Sequence, residues 1–286
     1  MTRSEEVQAK LAMTREFMTE RDLDAVALST RANFAWLTAG GMNHVGLGSA
    51  VGVGTVVVTA DRQYLLTSNI EAGRIEDEEI GELPFEIHFM QWDEQDPAEM
   101  LAAVTGGRVG SDSGYGGASE DIAGDFAPLR RQLMDQEIAR YREVGRIASE
   151  AIAATCREIE PGMTEHEIAG RLMGRAFAAG CQPTVALIAA DERALKYRHP
   201  IPSNHVLREW VMVVLGCSKW GLGISATRMV SFGEPDAEMR DKHAACCQVD
   251  ACLNLETRPG VAVSEVFGKA VVVYADAGYL DRWRLH

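Results

Sequence analysis

Residues 213–233 read "VVLGCSKWGLGISATRMVSFG", two β-compatible runs around a Trp-Gly pair. The glycines stand where a tight turn and a close backbone approach need them. Ser225 and Thr227 offer hydroxyls, Arg228 offers a guanidinium, and Cys217 offers a thiol. The same residues also suit a plain strand, a surface ion pair and a buried core position. Between Glu209 and Glu234 there is no Asp or Glu. Divalent cations prefer anionic oxygen ligands, so this stretch lacks the groups a metal pair would need. Nothing in the sequence sets a base beside Cys217, which argues against a thiol nucleophile. Upstream, "KYRHPIPSNHVLREW" holds His199 directly before Pro200, with Arg198 and His205 nearby. Alternation along an extended segment would point Arg198 away from His199.

The elements that must position these groups follow from patterning. The chain has 286 residues, 47% hydrophobic and 24% charged, which are ordinary globular proportions. A formal net charge of −14 with no basic block excludes a phosphate-neutralising nucleic-acid surface. The N-terminus is a charged amphipathic helix over about residues 3–20, without a signal-peptide core. No apolar run reaches the roughly 18 residues of a membrane span. None of the six cysteines forms a C-x-x-C pair, so buried free thiols are expected. These features point to a cytoplasmic protein without membrane partners.

Residues 1–132 alternate helical and strand patterns, as an α/β domain does. The Gly-rich "VGLGSAVGVGTVVVT" leads into a strand and lacks the G-x-G-x-x-G spacing, which argues against dinucleotide binding. A linker falls near 130–137. From 137 a long amphipathic helix runs to "EPGMT", where Pro161 and Gly162 punctuate. A second helix follows, with Thr164 and Glu167 matching the S/T-x-x-E capping box and Gly180 as its C-cap.

Residues 161–180 realign with 259–278. Pro161, Gly162, Glu167, Gly170, Ala179 and Gly180 recur as Pro259, Gly260, Glu265, Gly268, Ala277 and Gly278. The second domain, 137–286, therefore reads as two similar halves, each opening with a helix pair. Only "YLDRWRLH" follows Gly278, so the second hairpin is missing. A half-sheet leaves an unpaired edge, from which a fragment or an interrupted reading frame is expected, with a strand-sharing dimer as the other solution.

This combination resembles the creatinase/aminopeptidase P superfamily. The shared features are a mixed N-terminal domain, an E-x-x-x-x-R entry helix, a duplicated second domain and a hairpin ending T-R-x-x-x-x-G. The resemblance implies an α/β (α+β) fold, with a small creatinase-like N-terminal domain followed by a pita-bread domain cut short in its second half. In metallopeptidase members the hairpin reads D-x-G-x-x-x-x-G-Y-x-x-D-x-T-R. Gly216, Gly221, Thr227 and Arg228 match it, the tyrosine is Leu222, and the two metal-ligand aspartates are Val214 and Ser225. No metal is therefore expected at these ligand-equivalent positions.

Creatinase-like members work without metal, through a histidine in the segment that His199 matches. An unperturbed pKa of about 6.5 suits that residue to proton transfer. The resemblance thus implies a metal-independent hydrolase of a C–N bond in a small polar metabolite. His199 would be catalytic, and Ser225, Thr227, Arg228 and Arg198 would contact substrate. One alternative is an aminopeptidase P or Xaa-Pro dipeptidase-type metallopeptidase using Mn or Co on short peptides. Another is a non-catalytic pseudo-peptidase with a binding role. The family also implies a homodimer.

Overall fold

A computed structural model describes residues 1–94 and 96–285, and contacts divide the chain into two units. The first comprises residues 1–148, 176–182 and 217–224; the second comprises 149–175, 183–216 and 225–286.

The first unit opens with α1 (Arg3–Glu20), started by Thr2, whose hydroxyl accepts from the Glu5 N–H while the Glu5 carboxylate accepts from the Thr2 N–H. Then come β1 (Ala25–Thr30), α2 (Arg31–Leu37), β2 (Val51–Thr59), β3 (Gln63–Ser68) and α3 (Asn69–Arg74). A π-helical turn over Ile75–Ile80 continues α3, and β4 (Glu86–Met90), α4 (Pro97–Val104), β5 (Val109–Ser111), β6 (Glu120–Asp121) and α5 (Ala123–Phe126) follow. The Gly-rich segment feeds β2, as expected.

Six strands form one mixed sheet in the order β4-β3-β2-β1-β5-β6. Pairing is antiparallel through β1-β2-β3 and parallel at β1-β5, β3-β4 and β5-β6. Alternation assigns the central strands to two cores. Val26, Leu28, Val56, Val58 and Leu65 pack with Phe34, Trp36 and Phe126 on one face; Ala27, Val57, Tyr64 and Leu66 pack with Met100 and Leu101 on the other.

The long helix α6 (Asp135–Arg157) begins in the first unit and ends in the second. Within the first unit a fully buried Lys10 Nζ donates to Glu6 Oε1 (2.7 Å), Glu137 Oε1 (2.9 Å) and the Trp36 carbonyl (2.8 Å). Arg140 reaches both Glu6 oxygens (2.9 and 2.6 Å). Charges so buried require this complete set of partners.

In the second unit α7 (Glu165–Ala178) carries the expected capping box: the Thr164 hydroxyl accepts from the Glu167 N–H (3.2 Å), and the Glu167 carboxylate accepts from the Thr164 N–H (2.7 Å). β7 (Gln182–Ala190), α8 (Glu192–Lys196), β8 (Trp210–Lys219), β9 (Leu222–Ser231), α9 (Ala237–Glu256) and α10 (Val263–Asp276) complete the chain. The strands make a three-stranded sheet in the order β7-β8-β9. The realigned segments 161–180 and 259–278 coincide with the loop-to-helix entries of α7 and α10.

One expectation is corrected. Cys181 and Cys217 are buried, but Cys246 and Cys247 are exposed, and Cys156 and Cys252 are half-buried. On α9 only Ala245 and Val249 are buried, a stripe too narrow to cover the neighbouring thiols.

Candidate functional site

The hairpin β8-β9 turns on two residues, Trp220 (φ 57°) and Gly221 (φ 75°), both left-handed as a type I′ turn requires. Glycine is obligatory at 221 on a second count: an added Cβ would stand 2.5 Å from Ala35 Cβ. Trp220 is a bulky residue in a region such residues avoid. Its ring packs on Gly40, where a Cβ would stand 2.9 Å from Trp220 Cδ1, and Lys219 Nζ lies 4.6 Å from the ring centroid. Trp220 thus packs the turn against Gly40.

The turn sets Lys219 across from Leu222, and the Phe232 N–H donating to the Glu209 carbonyl (2.7 Å) keeps the same register at the open end. Val214 therefore lies across from Thr227, and Gly216 across from Ser225. On the other side, the Asp191 N–H donating to the Trp210 carbonyl (2.9 Å) and the contact of Gly216 with Val185 bring Leu187 beside Val214.

Two faces result. Ile188, Val211, Val213 and Leu215 share the buried face. Val185, Leu187, Met212, Val214, Ser225, Thr227 and Met229 share the opposite face, all half-buried or exposed. Ser225 and Thr227 thus sit together, one step apart on β9. Arg228 points to the other side, where its charge pulls down a Cys156 thiol that burial pushes up; its Nη1 donates to the Thr227 carbonyl (2.8 Å).

Among the described residues, the strand positions that share the face of Val214 and Ser225 hold no carboxylate and no imidazole. Two divalent ions at about 4 Å separation need bridging anions to offset their repulsion. Valine, serine, threonine and methionine do not supply them, so the residues present on this face do not fit a metal pair.

His199 and Arg198 occupy a bend after α8, both exposed. The backbone bends there rather than extending, so strand alternation does not set the directions of the two side chains. Pro200 is buried behind them. Two buried carboxylates, neither singled out from sequence, fix the rest of this loop. Glu165 accepts from the N–H groups of Ala190 and Ser203 (both 2.9 Å), the Ser203 hydroxyl (2.7 Å) and Arg193 Nε (3.0 Å). Asp191 accepts from the N–H groups of Arg208 (3.1 Å), Glu209 (2.9 Å) and Trp210 (3.2 Å). Burial pushes the Asp191 carboxyl up, but these donors and Arg208 outweigh it and hold it below its ordinary value. The only sequence signal for either is the capping-box position next to Glu165.

Asp191, Glu192 and His205 can bring one ligand atom each within 4.8 Å of one another. Arg208 already serves as the cation there, with Nε 3.4 Å from Asp191 and Nη2 3.0 Å from Glu192.

No helix among the described residues is long and apolar enough to cross a membrane.

Residues 139–284, just over half of the chain, match the model of metallopeptidase family M24. The Xaa-Pro dipeptidase of Lactobacillus delbrueckii subsp. lactis is 25% identical over 166 residues, which cover 56% of this chain and 45% of that protein. The probable dipeptidase PepE of Mycobacterium bovis is 26% identical over 156 residues, covering 54% and 42%. The matches thus span less than half the length of these curated relatives.

Among solved structures, the prolidase from Pyrococcus horikoshii OT3 superposes with a TM-score of 0.78 at 18% identity, over 96% of this chain and 79% of that one. Dipeptidase PepE from Mycobacterium ulcerans gives 0.75 at 16% identity, over 97% and 78%. These likenesses carry the fold, an N-terminal α/β domain followed by pita-bread architecture. The chain belongs to metallopeptidase family M24.

Proposed function

We propose that this chain serves hydrolysis of a C–N bond in a dipeptide-sized substrate, on the β8-β9 face that carries Ser225 and Thr227. The family match over 139–284 carries this reading, supported by relatives named as dipeptidases. In it, Ser225 and Thr227 present two adjacent exposed hydroxyls that can donate to a substrate carbonyl and accept from an amide N–H. Val214 and Leu187 beside them provide an apolar wall for a non-polar side chain.

The residue types on this face favour a second, creatinase-like reading, in which the C–N bond belongs to a small polar metabolite. There His199 acts as the proton carrier, with Arg198 as the anion contact and no metal in the chemistry; Arg228, on the opposite face, takes no part.

The test is an assay of purified protein against Xaa-Pro dipeptides and small guanidino compounds, with and without EDTA, Mn and Co. Amino-acid release from dipeptides, reduced by about tenfold or more in Ser225→Ala, supports the first reading. Turnover of a guanidino compound alone, lost in His199→Ala, supports the second. Dipeptide activity abolished by chelation and restored by Mn or Co would refute the metal-independent second reading.

A further inference from the structure

A cavity of about 340 Å³ opens in the first unit, with Trp36, Arg130, Arg131, Tyr141 and Trp220 in its lining. The volume lies in the range of small-molecule sites.

Its charge is unbalanced. The acid in its wall, Glu137, is committed on both oxygens: Oε1 accepts from Lys10 Nζ (2.9 Å) and Oε2 from the Met134 N–H (3.1 Å). Arg130 Nε is buried with no hydrogen-bond partner. Arg31 and Arg140 leave the same atom unpaired, yet each anchors its outer nitrogens, Arg31 on Gln182 and Arg140 on Glu6. Among the described residues neither Arg130 nor Arg131 makes a hydrogen bond or ion pair. Asp112 attracts Arg130 through space, but its oxygens already accept from the Ser29 and Thr30 N–H groups, the Thr30 hydroxyl and Asn33 Nδ2.

Arg131 is exposed and solvated, whereas Arg130 is half-buried with its Nε shut off from solvent and unpaired, in a chain of net charge −14. A buried donor without a partner costs free energy, and such a group calls for a ligand. Burial pushes the Arg130 guanidinium down, and the charge of Arg131 lowers it further, so a bound anion would relieve both. Guanidinium forks match carboxylates in two-point geometry. Three aromatic side chains line the cavity: Trp36, nearly buried, Tyr141, held by its hydroxyl donating to the Gly223 carbonyl (3.0 Å), and Trp220, held at the turn.

We propose that Arg130 and Arg131, with Trp36, Tyr141 and Trp220, form a binding site for a small carboxylate anion that carries an aromatic ring. The site is independent of the proposed hydrolytic face and stands or falls separately.

Phenylacetate is the probe, titrated into the full chain by calorimetry and by quenching of tryptophan fluorescence, with benzylamine and inorganic phosphate as comparators. The expected result is one saturable site with a Kd of about 1 mM or tighter. Arg130→Gln and Arg131→Gln should each weaken it by about tenfold or more, and Arg130→Lys should fall between Arg130→Gln and the unchanged protein. Because neither side chain has a partner, melting temperatures should stay within about 2 °C, which separates lost binding from lost folding. Absence of saturation, or equal affinity in the double Gln variant, overturns the proposal. Benzylamine binding as tightly as phenylacetate refutes the anion assignment; phosphate binding as tightly refutes the aromatic one.

Discussion

Gly216 and Val185 face each other across the β7-β8 ladder at a separation that excludes any side chain on residue 216: an added Cβ would stand 2.9 Å from Val185 Cβ and 3.1 Å from Thr184 Oγ1. This contact sets the spacing of the sheet that carries Val214 and Ser225. Gly216→Ala should therefore cost about 1–3 kcal/mol through strand displacement. The measurement is the urea midpoint at constant m-value. A loss below about 0.5 kcal/mol would mean that the strands part without cost.

Cys217 is buried and its thiol is pushed up to about 11, by burial first and by the neighbouring Cys181 next. Thiolate is the reactive form, so Cys217 should be inert at neutral pH. Exposed Cys246 and Cys247 should react with an aromatic disulfide reagent in the native protein, whereas Cys181 and Cys217 should react only after unfolding. Rapid labelling of Cys217 in the folded chain, located by mass spectrometry, would contradict this burial.

Lys10 and Glu137 meet 2.9 Å apart with side-chain exposures of 0% and 4%, joining α1 to α6 within one unit. Lys10→Met leaves Glu137 with only the Met134 N–H and removes one partner of Glu6. The expected loss is about 3–5 kcal/mol, and adding Glu137→Met should recover part of it. Additive losses in the double variant would show that the two groups are not coupled.

Asp191 titrates below its ordinary value in the folded chain. A depressed carboxyl contributes stability that is fully present above the unfolded value of about 3.9 and is lost as pH falls through the folded value. Urea midpoints measured from neutral pH downward should fall more steeply below about pH 4 for the unchanged protein than for Asp191→Asn. At neutral pH that variant should be less stable by about 1–3 kcal/mol. Parallel pH profiles would remove Asp191 as the anchor of the loop over 200–210.

Much of the architecture was legible in the residues. The starts of α1 and α7, the glycine at the β8-β9 turn and the strand after the Gly-rich run follow from caps, periodicity and backbone freedom. These are contacts within a few residues, and they hold whatever packs around them. The absence of carboxylates from the hairpin was legible for the same reason. Once the two-residue turn fixes register, alternation alone separates Arg228 from Ser225 and Thr227.

Tertiary structure decided what depends on residues far apart in the chain. Apolar surroundings in sequence did not bury Cys246 or Cys247, because burial is set by what packs on a helix and only a narrow stripe of α9 is covered. Glu165 and Asp191 look like ordinary surface acids until Ser203, Arg193, Arg208 and Trp210 arrive from other segments to donate to them. Arg130 and Arg131 read as two unremarkable cations at the start of the linker near 130–137. Folding brings Trp36, Tyr141 and Trp220 to them and commits the nearby acids elsewhere, a balance of charge that only the assembled set of partners can fix.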